Sequence, residues 1–483
     1  MYSFRSTWLL IAALLILAGT PAQAQDESAS TSTSITIETK GGYHRWRTSN
    51  GSNDFNVEAR GRIEITEDDK DIKGMSDDGY LEISKTVFGS KRTIIIEAQG
   101  GGKVKREYFE GRNKMDWEGA GKSWLSEVLP EVLRTTGLGA ESRVNRFYKQ
   151  GGVQAVLTEI SLIESDYVKA TYGKHLLNMK IAPSELPNVI TRLGNEIHSD
   201  YYLSSLLKDN VDKLLATRES ADAFFKASDH VSSDYYRSVV LNEALKKYSA
   251  SPMQVKVILQ SASGINSDYY LSTVLNTLLK QDDVKDESLT ELIATSKRIS
   301  SDYYRMTVLS HAIDKPGLSK QVLKNMTEAA AGVNSDYYQS SIYNGMAEHL
   351  TLDNDIQQQV IRQIGELGSD YYASVALTKV LKHQKLSDEA FSLLVSNAGK
   401  LGSSHYASEV LKDAADNSLN KDQLTALIHA ASSIGSDSYL SNVLLKIADQ
   451  VRNSDESVKT AYRQAAKNIG SESYYGKVLR AID

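Results

Sequence analysis

Asn266-Ser-Asp-Tyr-Tyr-Leu-Ser-Thr-Val-Leu-Asn-Thr-Leu-Leu279 is answered 34 residues later by Ser300-Ser-Asp-Tyr-Tyr-Arg-Met-Thr-Val-Leu-Ser-His-Ala-Ile313. The same Asp-Tyr mark falls at Asp166, Asp200, Asp234, Asp268, Asp302, Asp336 and Asp370, always at that interval. Beyond Asp370 the mark decays while the frame persists. Ser404 takes the Asp slot before His405-Tyr406, and Asp437 and Glu472 open the last two units. A fixed period of this size is the signature of a stacked repeat array.

Each unit reads as two helices. In the Asp268 unit, Ser267 is an N-cap residue and Asp268 lies in the first turn, where its charge meets the helix dipole favourably. Tyr270, Val274, Leu275, Leu278 and Leu279 then form one apolar stripe. In the Asp302 unit, Pro316-Gly317 breaks the chain, Ser319 caps a second helix, and Leu323, Met326, Ala330 and Val333 recur on its face. Neither helix can bury its stripe alone, so neighbours must share a core. The expected fold is therefore mainly α, an α-solenoid of helical hairpins, with about nine helix pairs over residues 166–483 and a helical cap with the first repeat over 117–165.

Upstream, the texture is that of strands. Ile35 and Ile37, Val57 and Ala59, Ile63 and Ile65, Tyr80 to Ile83, and Thr93 to Ile96 alternate or run apolar between Gly- and Asp-rich breaks. A small antiparallel β domain is expected over 34–116, with Val104 to Phe109 as its last strand. Arg5, the apolar run Leu9 to Ala18, and Ala22-Gln23-Ala24 together read as a signal peptide over 1–24, followed by a Ser/Thr-rich leader over 25–33. The expected location is periplasmic or secreted. The run is short for a membrane span, so no stable membrane insertion is expected after cleavage near Ala24.

Composition narrows the classes. With 55 Lys and Arg against 61 Asp and Glu, the net charge of −6 argues against a nucleic-acid partner. Zero cysteines exclude disulfides, thiolate metal sites and cysteine nucleophiles. A large secreted chain without cysteine is expected to be a bacterial envelope protein, in which the glycosylation patterns at Asn50-Gly51-Ser52 and Asn325-Met326-Thr327 would be chance matches.

Candidate chemistry is sparse. Gly119-Ala-Gly-Lys-Ser123 looks like a phosphate loop, but Asp116 stands where the pattern needs Gly. It reads better as a turn, with Ser123 capping a helix from Trp124. The nine histidines show no paired-ligand spacing, and no Gly-x-Ser-x-Gly elbow is present. Asp68-Asp69 and Asp77-Asp78 read as solvated turns. No cofactor, metal or catalytic residue is expected.

The Asp-Tyr-Tyr ladder stands above this background. Its Asp residues (Asp166, Asp200, Asp234, Asp268, Asp302, Asp336, Asp370) read as a structural motif. Its first tyrosines (Tyr201, Tyr235, Tyr269, Tyr303, Tyr337, Tyr371) are the candidate binding residues. The expectation is that one tyrosine of each pair packs between units. The other lines a groove on a different face, able to hold an extended peptide, a glycan strand or a partner helix.

The period equals that of tetratricopeptide repeats, but no Trp follows Trp124 and Pro183, Pro187, Pro252 and Pro316 fall irregularly. The array more closely resembles a HEAT-type hairpin with its own Ser-Asp-Tyr-Tyr signature. From about Arg60 onward, with Gly61 to Asp69 and Gly79 to Ile83 in the β region, the chain resembles a group of bacterial envelope proteins. Similar regions are sometimes attached to membrane metalloproteases of the β-lactam-sensor type. That protease's His-Glu-x-x-His motif is absent here, so the resemblance implies no proteolysis. The expected function is a non-enzymatic scaffold for protein partners. The alternatives are a glycan or peptidoglycan binder using the ladder, and a regulatory ectodomain partner of a membrane metalloprotease.

Overall fold

The computed structural model describes residues 34–40, 42–49, 53–282, 284, 286–416 and 418–483. The expected signal peptide, the leader and the Asn50 sequon lie outside them. The chain divides into two compact units, one ending at Arg146 and one beginning at Phe147.

In the first unit, β1 (Ser34–Lys40), β2 (Tyr43–Ser49), β3 (Asn53–Arg60), β6 (Tyr80–Val87), β7 (Ser90–Ala98), β8 (Val104–Glu110) and β9 (Asn113–Met115) form one antiparallel sheet in that order. Between β3 and β6 the chain makes a separate hairpin of β4 (Ile63–Ile65) and β5 (Ile72–Met75). The two-residue alternation sets which side chains share a face: Val57 pairs with Ile83, and Ile83 with Ile94. That face, with Phe55, Leu81, Ile96 and Tyr108, is buried against Trp124, Leu125, Val128, Leu129, Val132 and Leu133 of the Lys122–Thr136 helix. Gly137, at φ 74°, ends that helix in the left-handed conformation. The sheet does not end at Phe109 as expected, because Gly111 at φ 60° turns the chain back into β9.

Two expectations for the Gly-rich segment resolve differently. Asp116 caps a π-helical turn over Trp117–Gly121, its carboxylate accepting the Gly119 N–H at 2.6 Å. The phosphate-loop resemblance is thus a turn whose amide is already engaged by a carboxylate. Ser123 is not the cap: the following helix starts at Lys122, and Ser123 lies inside it.

In the second unit, each repeat but the last has a first (A) helix beginning at the Asp slot and a second (B) helix. The A helices run from Asp166–Leu177 through Asp268–Leu279 and Asp302–Ile313 to Glu472–Arg480. The B helices run from Leu186–Glu196 through Pro252–Ala262 and Asp286–Ser296 to Glu456–Ala466. Each A helix packs on the next A helix and each B helix on the next B helix, so the array is a two-layer α-solenoid. In the Asp200 unit the A helix breaks at Asn210, and a short turn, Val211–Leu214, follows.

The stripes read from sequence form the shared core. Val274, Leu275 and Leu278 of one A helix, and Leu289, Leu292 and Ile293 of the B helix that follows, are buried. Small residues let the A helices approach: Ser204, Ser238, Ser272, Ser340, Ser374, Ser408 and Ser441 recur at the same slot and are all buried. Most of them turn the hydroxyl back to the carbonyl one turn earlier, as Ser272 does to Tyr269 at 2.8 Å.

Candidate functional site: the tyrosine ribbon

The A helices that begin at Asp200 through Asp370 start with Ser-Asp-Tyr-Tyr, and each residue has a separate task. The Ser is the N-cap: Ser267 has extended backbone (φ −71°, ψ 118°), and its side chain accepts the Tyr270 N–H. The Asp does more than meet its own helix dipole. Its carboxylate reaches into the following unit and accepts the N–H groups that precede the next A helix. Asp268 takes Ser300 at 3.0 Å and Ser301 at 2.7 Å. Asp200 takes Ser232 and Ser233, Asp234 takes Asn266 and Ser267, and Asp302 takes Asn334 and Ser335. The pattern continues through Asp370 and Asp437. Each carboxylate therefore satisfies orphan donors at a neighbour's helix start, a charge-assisted arrangement about twice as strong as a neutral one.

Ser404 interrupts this series. The next unit presents the N–H groups of Gly435 and Ser436 at the equivalent place, and among the described residues no carboxylate accepts them. Gly368, Gly402 and Gly470 have the preceding Asp oxygen 3.3–3.6 Å from where a Cβ would be, whereas Gly435 has open space there.

The tyrosines form one continuous ribbon. Within a pair the ring centroids stand 5.0–5.2 Å apart, as in Tyr269–Tyr270 and Tyr303–Tyr304. Between units the first tyrosine meets the second tyrosine of the next pair at 5.7–6.0 Å, as in Tyr269–Tyr304. The zigzag starts at Tyr167–Tyr202 and ends through Tyr371–Tyr406 and His405–Tyr439. Most contacts are edge-to-face, the arrangement the ring quadrupole favours.

The two tyrosines of a pair thus touch each other as well as the neighbouring units. A pair in consecutive helical positions, held edge to face, belongs to a single ribbon. What separates the two is depth. The second tyrosine is half-buried between neighbours. Tyr201, Tyr235, Tyr269, Tyr303, Tyr337 and Tyr371 are each 49–52% exposed. Among the described residues, the hydroxyls of these six make no hydrogen bond within the chain.

The far ends of several A helices carry a second set of ties that sequence reasoning missed. Gln281 donates to the carbonyls of Leu245 and Tyr248 and accepts the Ala250 N–H, all from the preceding unit. Gln384 repeats this on Ala347, Leu350 and Leu352. Lys213 and Lys315 use ammonium groups in the same slot, on Leu177 and Met179 and on Gln281. Burial pushes the Lys213 ammonium below its usual pKa. Arg237 and Arg305 bind carbonyls between B helices: Arg237 takes Val231, Ser261 and Asp229. The available signal was positional, since Lys213, Gln281 and Lys315 recur in the 34-residue frame.

As for metal chemistry, among the described residues no group of three or more His, Asp or Glu side chains is placed to hold an ion. Nor is any described helix long and apolar enough to cross a membrane.

No protein-family model matches the chain, and no curated protein matches it in sequence. Solved structures do align. A homology model of the full-length AP-3 complex in an intermediate open conformation matches at 11% identity and a TM-score of 0.28, covering 75% of this chain and 78% of that one. The Chs5-Bch1 exomer cargo adaptor complex matches at 10% identity and a TM-score of 0.15, covering 85% and 84%. A computationally designed self-assembling cyclic homooligomer matches at 12% identity and a TM-score of 0.10, covering 74% and 98%. At these scores the likenesses add nothing to the reading of function.

Proposed function

We propose that this chain is a non-enzymatic scaffold that binds protein partners along the tyrosine ribbon, exported by its N-terminal signal peptide to the bacterial periplasm or beyond. The observation that carries the reading is the uniform half-exposure of the first tyrosine in six successive repeats, with no hydrogen bond from their hydroxyls among the described residues. Aromatic side chains with a polar tip offer large contact area at low entropy cost. The carboxylates in the same motif are committed to joining units, so the surface left for a partner is the ring edges and hydroxyls. The export half of the proposal is supported by the sequence of residues 1–24 and the lack of cysteine.

The test is site-specific photocrosslinking in the cells that make the protein. A benzoylphenylalanine at position 269 should give discrete protein adducts, and the same group at Met253, exposed on a B helix, should not. Adducts no more frequent at 269 than at 253 overturn the reading.

A further inference from the structure

We infer that the occupant of the ribbon is a neutral, proline-rich segment in the polyproline II conformation, lying along the row of exposed tyrosines. The inference rests on the scaffold reading and narrows it to one class of partner. The first argument is spacing. Tyr235 and Tyr269 are linked by ring steps of 5.8 Å and 5.1 Å through Tyr270, which bounds their separation at about 11 Å. Packed helices stand about 8–10 Å apart, and equivalent side chains of stacked repeats recur at a similar interval. A polyproline II helix turns once in three residues and advances about 9.3 Å per turn. One turn per unit therefore brings an equivalent face of the ligand to every tyrosine. An extended strand repeats its face about every 6.7 Å and falls out of step.

The second argument is complementarity. The ribbon offers ring surfaces and phenolic hydroxyls that can donate or accept, while the carboxylates behind it already accept backbone N–H groups, as Asp234 does from Asn266 and Ser267. A ligand that fits lays apolar side chains on the rings and brings open acceptors for the hydroxyl protons. Proline residues have no N–H, and polyproline II leaves its carbonyls open to solvent. An α-helix conceals its carbonyls in its own bonds. The ligand is also preformed, so binding orders little new chain.

The experiment uses the full chain and labelled proline oligomers of about 6, 12 and 18 residues, read by fluorescence anisotropy. Comparators are a chitin-type oligosaccharide and a helix-forming peptide of equal length. Saturable binding that tightens with oligomer length is expected. Replacing Tyr235, Tyr269 and Tyr303 together by Ala should weaken the longest oligomer at least about tenfold. Replacing the same three by Phe keeps the ribbon packed and should still weaken it about threefold to tenfold, through the lost hydroxyl bonds. The Phe variant, checked by circular dichroism, guards against a folding defect in the Ala variant. No saturable binding by any proline oligomer, binding indifferent to both variants, or binding confined to the oligosaccharide or the helical peptide would overturn the inference. If proline oligomers fail while position 269 still crosslinks to protein, the scaffold reading stands and this inference falls.

Discussion

Asp268 and Ser301 are 33 residues apart in the chain, yet the carboxylate Oδ2 of one accepts the backbone N–H of the other at 2.7 Å. The bond joins the first turn of one A helix to the N-cap of the next. It turns a capping residue into a fastener between units, and it recurs along most of the array.

Removing one such fastener should loosen one seam. Asp268→Ala leaves the Ser300 and Ser301 N–H groups without their acceptor and should cost about 1–3 kcal/mol. Asp268→Asn, which keeps one acceptor oxygen, should cost less. Because stability in a stacked array is held locally, amide hydrogen exchange at Ser300 and Ser301 should accelerate before distant units respond. Unchanged exchange at those amides would count against the assignment.

The interrupted position offers the reverse test. Ser404→Asp should supply the carboxylate missing opposite Gly435 and Ser436 and raise stability by about 0.5–1.5 kcal/mol. Thermal melting measures the gain. A loss would mean that the shorter spacing to Asp437 prevents the reach.

Arg237 and Gly264 should prove coupled. A Cβ at position 264 would stand 1.7 Å from Arg237 Nη1, and that guanidinium serves three carbonyls between B helices. Gly264→Ala should therefore cost about 1–3 kcal/mol by displacing it. Arg237→Leu copies what Leu203 and Leu271 place in the same slot of other units. In that background the cost of Gly264→Ala should shrink, and a double-mutant cycle reads the difference.

Acid should unfasten the C-terminal units by a separate route. The Lys421 ammonium, the Ser457 hydroxyl and the Val458 N–H hold the Asp455 carboxyl well below the usual carboxylate range. A carboxyl depressed in the folded state adds stability that is fully present above its unfolded pKa, near 3.8. That stability is lost as pH falls through the lower folded value. Asp455→Asn should lower the melting temperature at neutral pH, and its deficit against the parent should narrow below about pH 4. A deficit that does not change with pH contradicts the assignment.

The repeat was legible because the Asp slots count helix pairs directly, and the core stripes followed from Val274, Leu275 and Leu278 standing on one face. The β region was legible from alternation, except for β9, whose three exposed residues carry no apolar pattern. The inter-unit role of the Asp was not legible. Sequence spacing gives the number of residues between Asp268 and Ser301 but not the side-by-side placement that brings them together. Placement in the first turn already accounted for an acidic residue there. The contact between the two tyrosines of a pair was not legible for a related reason. Adjacent helical positions diverge on one isolated helix, but stacking neighbours at this spacing folds both rings into one ribbon. Gln281 and Lys213 escaped because different side chains perform the same task.

The Asp fastener has a consequence for how such a chain changes length. Every intact unit carries both halves of the joint, the acceptor at its own helix start and the donors that receive its predecessor. A unit can therefore be copied or deleted in register without orphaning either half. The tyrosine pair travels with it, so gene duplication would lengthen the array and its aromatic track in one event.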